Sequence, residues 1–214
     1  MELLSTRDEK KREPQLNRDD WIVEALHVLL NEGVEHVQIT RLARELNVTR
    51  GSFYWHFAGR DDLLKALLAE WRARNTGVMI EVLEHAPSLE AGILDLFSVW
   101  VDHSKFDPLL DQAVRDWARR DADIQKTVAQ EDDDRVEAIA SFLRGQDYEP
   151  IDAFIRARVI YFTQLSYYAL SVSEPMETRM EYLSAYYTCF TGRTIDNAAA
   201  QVFKARLAAK EAAQ

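Results

Sequence analysis

Apolar residues recur at helical spacing along almost the whole chain, and this pattern limits the possible folds more than any other feature of the sequence. Side chains three and four positions apart share one face of an α-helix, so such stripes are buried by packing helix on helix. Trp21, Ile22, Ala25, Leu26, Leu29 and Leu30 form the first stripe; with Asn17 as N-cap and Gly33 as stop, they predict a helix over residues 18–32. Seven glycines and five prolines are all that punctuate 214 residues, and no segment alternates as a strand does. The chain therefore reads as all-α.

Leu42, Ala43 and Leu46 mark a short second helix, Asn47-Val48-Thr49 breaks it, and Phe53 with Phe57 anchors a third. Asp61 and Asp62 open a longer helix, since carboxylates suit the positive end of the helix dipole. It carries Leu63, Leu64, Leu67, Leu68 and Trp71 and continues through Val78, Val82 and Leu83, with a kink expected at Gly77. Beyond Pro87, helices are expected at 88–104, 108–120, 122–145, 151–172, 176–191 and 194–212, with Pro108, Pro150 and Pro175 near three of the starts. The expected organisation is a mobile arm (1–17), a three-helix domain (18–65) and a larger helical domain (66–214). No Gly/Ser-rich linker separates the two domains; the helix at 61–84 joins them.

The net charge of -10 argues, as a sum, against nucleic acid as a partner. Its distribution argues otherwise. Residues 1–75 hold 12 Lys/Arg against 13 Asp/Glu, whereas residues 76–214 hold 14 against 23. Within residues 40–60, Arg41, Arg44, Arg50 and Arg60 meet only Glu45, a small basic patch. In the arm, Arg7, Lys10, Lys11 and Arg12 could reach a minor groove, but Asp8, Glu9 and Glu13 cancel much of that charge and favour a solubilising tail. A single cysteine, Cys189, rules out an intrachain disulfide, no apolar run approaches the ~18 residues of a membrane span, and a charged N-terminus replaces a signal segment. A cytoplasmic protein without a membrane partner is expected.

Residues 39–57 concentrate the functional signal: Ile-Thr-Arg-Leu-Ala-Arg-Glu-Leu-Asn-Val-Thr-Arg-Gly-Ser-Phe-Tyr-Trp-His-Phe. Two helices too short to be stable alone flank a tight turn, and Arg50, Ser52, Tyr54 and His56, which can reach phosphates and base edges, alternate with the apolar Phe53 and Phe57. Over residues 18–65 this sequence resembles the tetracycline-repressor (TetR) family, through Asn31-Glu32-Gly33, Leu42-Ala43-Arg44-Glu45-Leu46-Asn47-Val48, Gly51-Ser52-Phe53-Tyr54-Trp55-His56-Phe57 and Asp62-Leu63-Leu64. The resemblance implies a helix-turn-helix domain joined by a long helix to a C-terminal ligand-binding and dimerisation domain. It implies that Thr49, Arg50, Gly51 and Ser52 open the recognition helix, that Tyr54 and His56 touch the DNA backbone and that Lys65 approaches a phosphate. Gln38 stands where the family commonly has Ser or Thr, and Thr40 is the nearby hydroxyl that can replace that contact. For Trp55, base contact, phosphate contact and partial burial all remain open.

In residues 151–172 and 176–191, apolar residues occupy several helix faces, which requires burial on several sides. Two such helices can meet their copies in a four-helix interface, the dimer contact that the resemblance also implies. Phe97, Trp100, His103, Trp117, Tyr161, Gln164 and Tyr168, aromatics with a few polar tips, are the candidates for a small-molecule effector site. Asp132, Asp133 and Asp134 point about 100° apart around a helix, cannot converge on one ion and read as a solvated face. No metal or cofactor is expected. The expected partners are an operator duplex, a second copy of the chain and an unidentified effector; the alternatives are a ligand-free helical DNA-binding protein and an all-α enzyme, for which no catalytic motif stands out.

Overall fold

A computed structural model describes residues 16–211, all helices and connecting turns among the described residues. The arm predicted at residues 1–17 lies almost wholly outside them. Two compact units divide between Leu67 and Leu68.

In the first unit, α1 spans Arg18–Glu32, the bounds predicted from its stripe and caps. The Asn17 side chain accepts from the Asp19 and Asp20 amides at 2.8 and 3.1 Å, and Asp20 accepts from the Asn17 amide at 2.7 Å. This reciprocal cap satisfies donors that the helix itself cannot, worth about 1 kcal/mol. Gly33, at φ 91°, ends the helix in a conformation that a side chain would strain. A 3₁₀ turn, Val34–His36, leads into α2 (Ile39–Glu45), followed by α3 (Arg50–Phe53) and α4 (Arg60–Trp71), which crosses the division between units. The core of the first unit is aromatic: Trp21 meets Phe53 edge-on with centroids 5.2 Å apart, and Phe53 stacks on Phe57 at the same distance. Edge-to-face and offset geometries of this kind add to the burial energy of the rings.

In the second unit α4 continues without interruption into a π-helical turn, Arg72–Gly77, and then α5 (Val78–Glu84). The kink expected at Gly77 is thus a change of helix type over six residues. There follow α6 (Leu89–Val101), α7 (Pro108–Ala118), α8 (Ala122–Arg144), α9 (Pro150–Ala169), α10 (Met176–Thr191) and α11 (Asn197–Glu211). Ser88, Asp107 and Asp121 cap α6, α7 and α8, and Pro108 and Pro150 occupy first turns, where a missing amide hydrogen costs nothing. Small residues let the helices approach closely: Ala140, Ala153 and Ala157 are fully buried, and a Cβ at Gly92 would lie 2.2 Å from Cζ of Phe142.

A buried polar cluster interrupts this apolar interior. Asp111 accepts from Trp71 Nε1 at 2.8 Å, Arg115 Nε at 2.7 Å and Arg135 at 3.0 Å. Arg135, wholly buried, also donates to the Thr76 hydroxyl at 2.9 Å and the Tyr161 hydroxyl at 3.1 Å, with its guanidinium over the Trp71 ring. Arg115 binds Asp132 with both terminal nitrogens, and Tyr161 donates to Asp132 at 2.5 Å. Burial pushes the Asp111 carboxyl upward, but the Arg135 and Arg115 charges and the donated hydrogen bonds outweigh it and hold the carboxyl below its ordinary range. The sequence reading of residues 132–134 as a solvated face therefore needs correction: Asp133 and Asp134 are exposed, whereas Asp132 is half-buried in this cluster.

Candidate nucleic-acid interface

The turn between α2 and α3 is built by one residue. Asn47 sits in the left-handed region at φ 55°, which asparagine tolerates better than most side chains. Its amide donates to Arg44 O at 3.1 Å and the Val48 amide to Ala43 O at 2.9 Å, the paired closure that ends a helix sharply and frees the chain to begin another. Thr49 is then the extended N-cap of α3, with no side-chain cap of its own.

Behind this turn Phe53 and Phe57 are 0% and 2% exposed, while Tyr54 and Trp55 are 57% and 86% exposed. Two buried rings thus force the intervening polar and aromatic residues outward. Thr40, Thr49, Arg50, Gly51 and Lys65 are exposed, and Ser52 and His56 are half-exposed. The three readings left open for Trp55 narrow, because so exposed a ring is not half-buried. Gln38 turns its amide to Glu35 O at 3.1 Å instead of capping α2, and Thr40 stands exposed in the first turn.

The basic patch is smaller than the sequence suggests. Arg41 pairs with Glu32 through both terminal nitrogens, and this hydrogen bonding holds the Glu32 carboxyl below its ordinary range. Arg60 points inward and donates to the carbonyls of Val34 and Val37, at 2.6 Å each. What remains outward is Arg50, Arg44 beside Glu45 at 3.1 Å, and Lys65. Arg60 is the positioning residue that sequence reasoning missed: it fixes the 3₁₀ turn from which α2 departs, and no local spacing announces a partner 23 or 26 positions away.

In the second unit the effector candidates separate. Phe97, Trp100 and Gln164 line one cleft, with about 450 Å³ of empty space including its open mouth. Tyr168 does not line it but stands beside it, donating to Trp100 O at 2.9 Å and stacking on Phe106. Tyr161 belongs to the polar cluster, Trp117 is buried in α7, and His103 is exposed between α6 and α7. Among the described residues, no three His, Cys, Asp or Glu side chains are grouped to hold a metal, and no helix is long and apolar enough to cross a membrane.

Residues 22–67 match the family of bacterial regulatory proteins named tetR. Over 57 residues the chain is 40% identical to the HTH-type transcriptional regulator SrpR of Pseudomonas putida, covering 27% of each chain. It is equally similar over 57 residues to the uncharacterized HTH-type transcriptional regulator TtgW, also of Pseudomonas putida, covering 27% of this chain and 42% of that one. The match thus spans less than half the length of these curated relatives. The crystal structure of Mycobacterium smegmatis AmtR shares the fold over 92% of this chain and 97% of its own, with a TM-score of 0.58 and 19% identity. The likeness to the tetR family of bacterial regulatory proteins thus lies in the segment that holds the helix-turn-helix, and beyond that segment the likeness is one of fold.

Proposed function

We propose that this chain is a dimeric transcriptional regulator, a repressor that leaves a pseudo-palindromic operator when a small-molecule effector binds. One observation carries the DNA-binding reading: α2, the Asn47 turn and α3 turn Thr40, Thr49, Arg50, Tyr54 and Trp55 to solvent while Phe53 and Phe57 are buried behind them. Arg50 is assigned to a base edge, whereas Thr40, Tyr54, His56 and Lys65 are assigned to the phosphate backbone, with Thr49, Gly51 and Ser52 at the opening of the recognition helix. Residues 18–65 serve as the DNA-binding domain and 66–214 as the sensing and dimerisation domain, in a protein working in the cytoplasm.

A short recognition helix reads only a few base pairs, so a two-fold pair is needed for a specific site. A stripe on α9 suits that pairing: Ile151, Ile155 and Val159 are 80%, 52% and 44% exposed, and the Arg158 guanidinium lies over both Phe154 and Phe162. The same patch on two copies would be self-complementary. An effector acts on DNA affinity only by binding better to the DNA-incompetent state than to the competent one.

The test is fluorescence anisotropy with duplexes from the DNA upstream of the chain's own gene, over a salt series, with mass by ultracentrifugation. Two protomers per duplex are expected. Arg50→Ala should lose sequence preference, His56→Ala and Lys65→Ala should weaken all sequences alike, and Lys65→Ala, which removes a charge, should also lower the salt slope by about 0.9. A strict monomer, or variants with unchanged affinity and slope, would overturn the reading.

A further inference from the structure

The cleft between α6, α9 and α10 is the feature that neither the fold nor the DNA-facing surface accounts for. Its walls are rings: Phe97 and Phe190 face each other with centroids 6.1 Å apart and planes 24° from parallel, Trp100 meets Phe97 edge-on, and Tyr186 lies 5.5 Å from Phe190. The centre of a water molecule can sit in only about 20 Å³ of it, so the space is a slit. A flat molecule can lie against such rings once the slit widens, and the unbranched Met180 at the wall can yield.

The polar groups in this slit are unequally satisfied. Gln164 is 6% exposed, and its amide nitrogen, though near enough to the Tyr168 hydroxyl to oppose the upward shift of that phenol, makes no hydrogen bond of good geometry. A buried donor without an acceptor costs about 1–3 kcal/mol. Arg179 pairs with no carboxylate among the described residues; its guanidinium lies 5.3 Å from the centre of the Tyr167 ring. The one acid in the lining, Glu174, already accepts from the Tyr167 hydroxyl at 3.1 Å, and that hydroxyl lies 2.8 Å from the hydroxyl of Tyr186. The unmet groups are therefore donors, one of them cationic, set at the edge of an aromatic slit.

We propose that this cleft is the effector site and that it takes a flat aromatic carboxylate, with the ring against Phe97 and Phe190 and the carboxylate on Arg179 and Gln164. The proposal rests on the ligand-responsive reading above and adds the ligand's chemistry to it. The probe is 2-naphthoate, titrated by calorimetry into the full-length protein free of DNA, with 2-naphthylmethylammonium as the cationic counterpart. Naphthoate should bind and the ammonium should not. Arg179→Met and Gln164→Leu should each weaken naphthoate about tenfold or more, the scale of a charge-assisted hydrogen bond. Glu174→Gln should tighten binding severalfold by removing a like charge, and this gain cannot come from damage to the fold. Absence of naphthoate binding, preference for the ammonium, or indifference to both Arg179 and Gln164 would sink the assignment. If naphthoate fails to bind a protein that still engages operator DNA as a dimer, the cleft assignment alone falls; if it binds a protein that engages no DNA, the regulator reading falls and the cleft stands.

Discussion

Asp111→Ala is expected to destabilise the second unit by about 3 kcal/mol. The aspartate is 2% exposed and neutralises Arg135, which is 0% exposed. Removing one partner of a buried ion pair costs about 3–5 kcal/mol, because the other charge stays buried. The lower end applies because Asp132 remains 4.0 Å from Arg135, and the Thr76 and Tyr161 hydroxyls still face its guanidinium. At roughly 2–4 °C per kcal/mol for a unit of this size, the midpoint should fall by about 6–12 °C. Scanning calorimetry at pH 7, with near-ultraviolet circular dichroism reporting on the packed aromatic side chains, follows the transition. Adding Arg135→Met to the same protein should restore most of the loss, since an apolar side chain in place of the orphaned charge needs no partner. The pH dependence has a definite sign. Asp111 is held below the ordinary aspartate value of 3.8, so the unfolded chain takes up its proton first. The gap between wild type and variant should hold from pH 7 to 5 and close as pH falls below about 4 through the folded-state value. A midpoint shift under about 2 °C, or a double variant no more stable than the single one, would refute the reasoning.

Arg60→Met removes two charged donors from the Val34 and Val37 carbonyls and should cost the first unit about 2–3 kcal/mol in urea denaturation. It should also weaken operator binding with an unaltered salt slope, because Arg60 acts on the start of α2 and not on phosphate. Gly92→Ala forces a Cβ to within 2.2 Å of the Phe142 ring and should cost about 1–3 kcal/mol by the same measurement. Adding Phe142→Leu should relieve most of that loss; if it deepens the loss instead, overpacking is not the cause.

Local pattern announced much of this architecture. The bounds of α1 followed from one stripe and two caps, and the break at Asn47-Val48-Thr49 was visible between the apolar positions of α2 and α3. Periodicity also fixed which faces of α2 and α3 are buried, and so which residues are outward. What stayed hidden depends on partners far apart in the chain. Arg41 reads as part of a basic patch until Glu32 reaches it, and Asp132 reads as solvated until Arg115 and Tyr161 enclose it. The pairing of Arg135 with Thr76 spans 59 positions and leaves no periodic trace. The effector candidates scattered for the same reason: an aromatic at helical spacing faces the interior, but spacing does not tell a packed ring from one beside a slit.

The π-helical turn Arg72–Gly77 carries one residue more than an α-helix needs for the same advance along the axis, so it rotates everything after it by about 100°. Asn75 and Thr76 owe their inward direction to that offset: one donates to Asp107 O at 2.8 Å and the other receives Arg135 at 2.9 Å. Deleting Ala73 alone would restore an unbroken 3.6-residue phase through residues 60–84 and make the isolated helix more regular. The same deletion would swing Thr76 off the Arg135 guanidinium or else turn the α5 stripe of Met79 and Leu83 out of the core. The irregular turn thus acts as a phase shifter, fitting a helix whose two halves must bury different sides, and its position is fixed by the ion-pair cluster it serves.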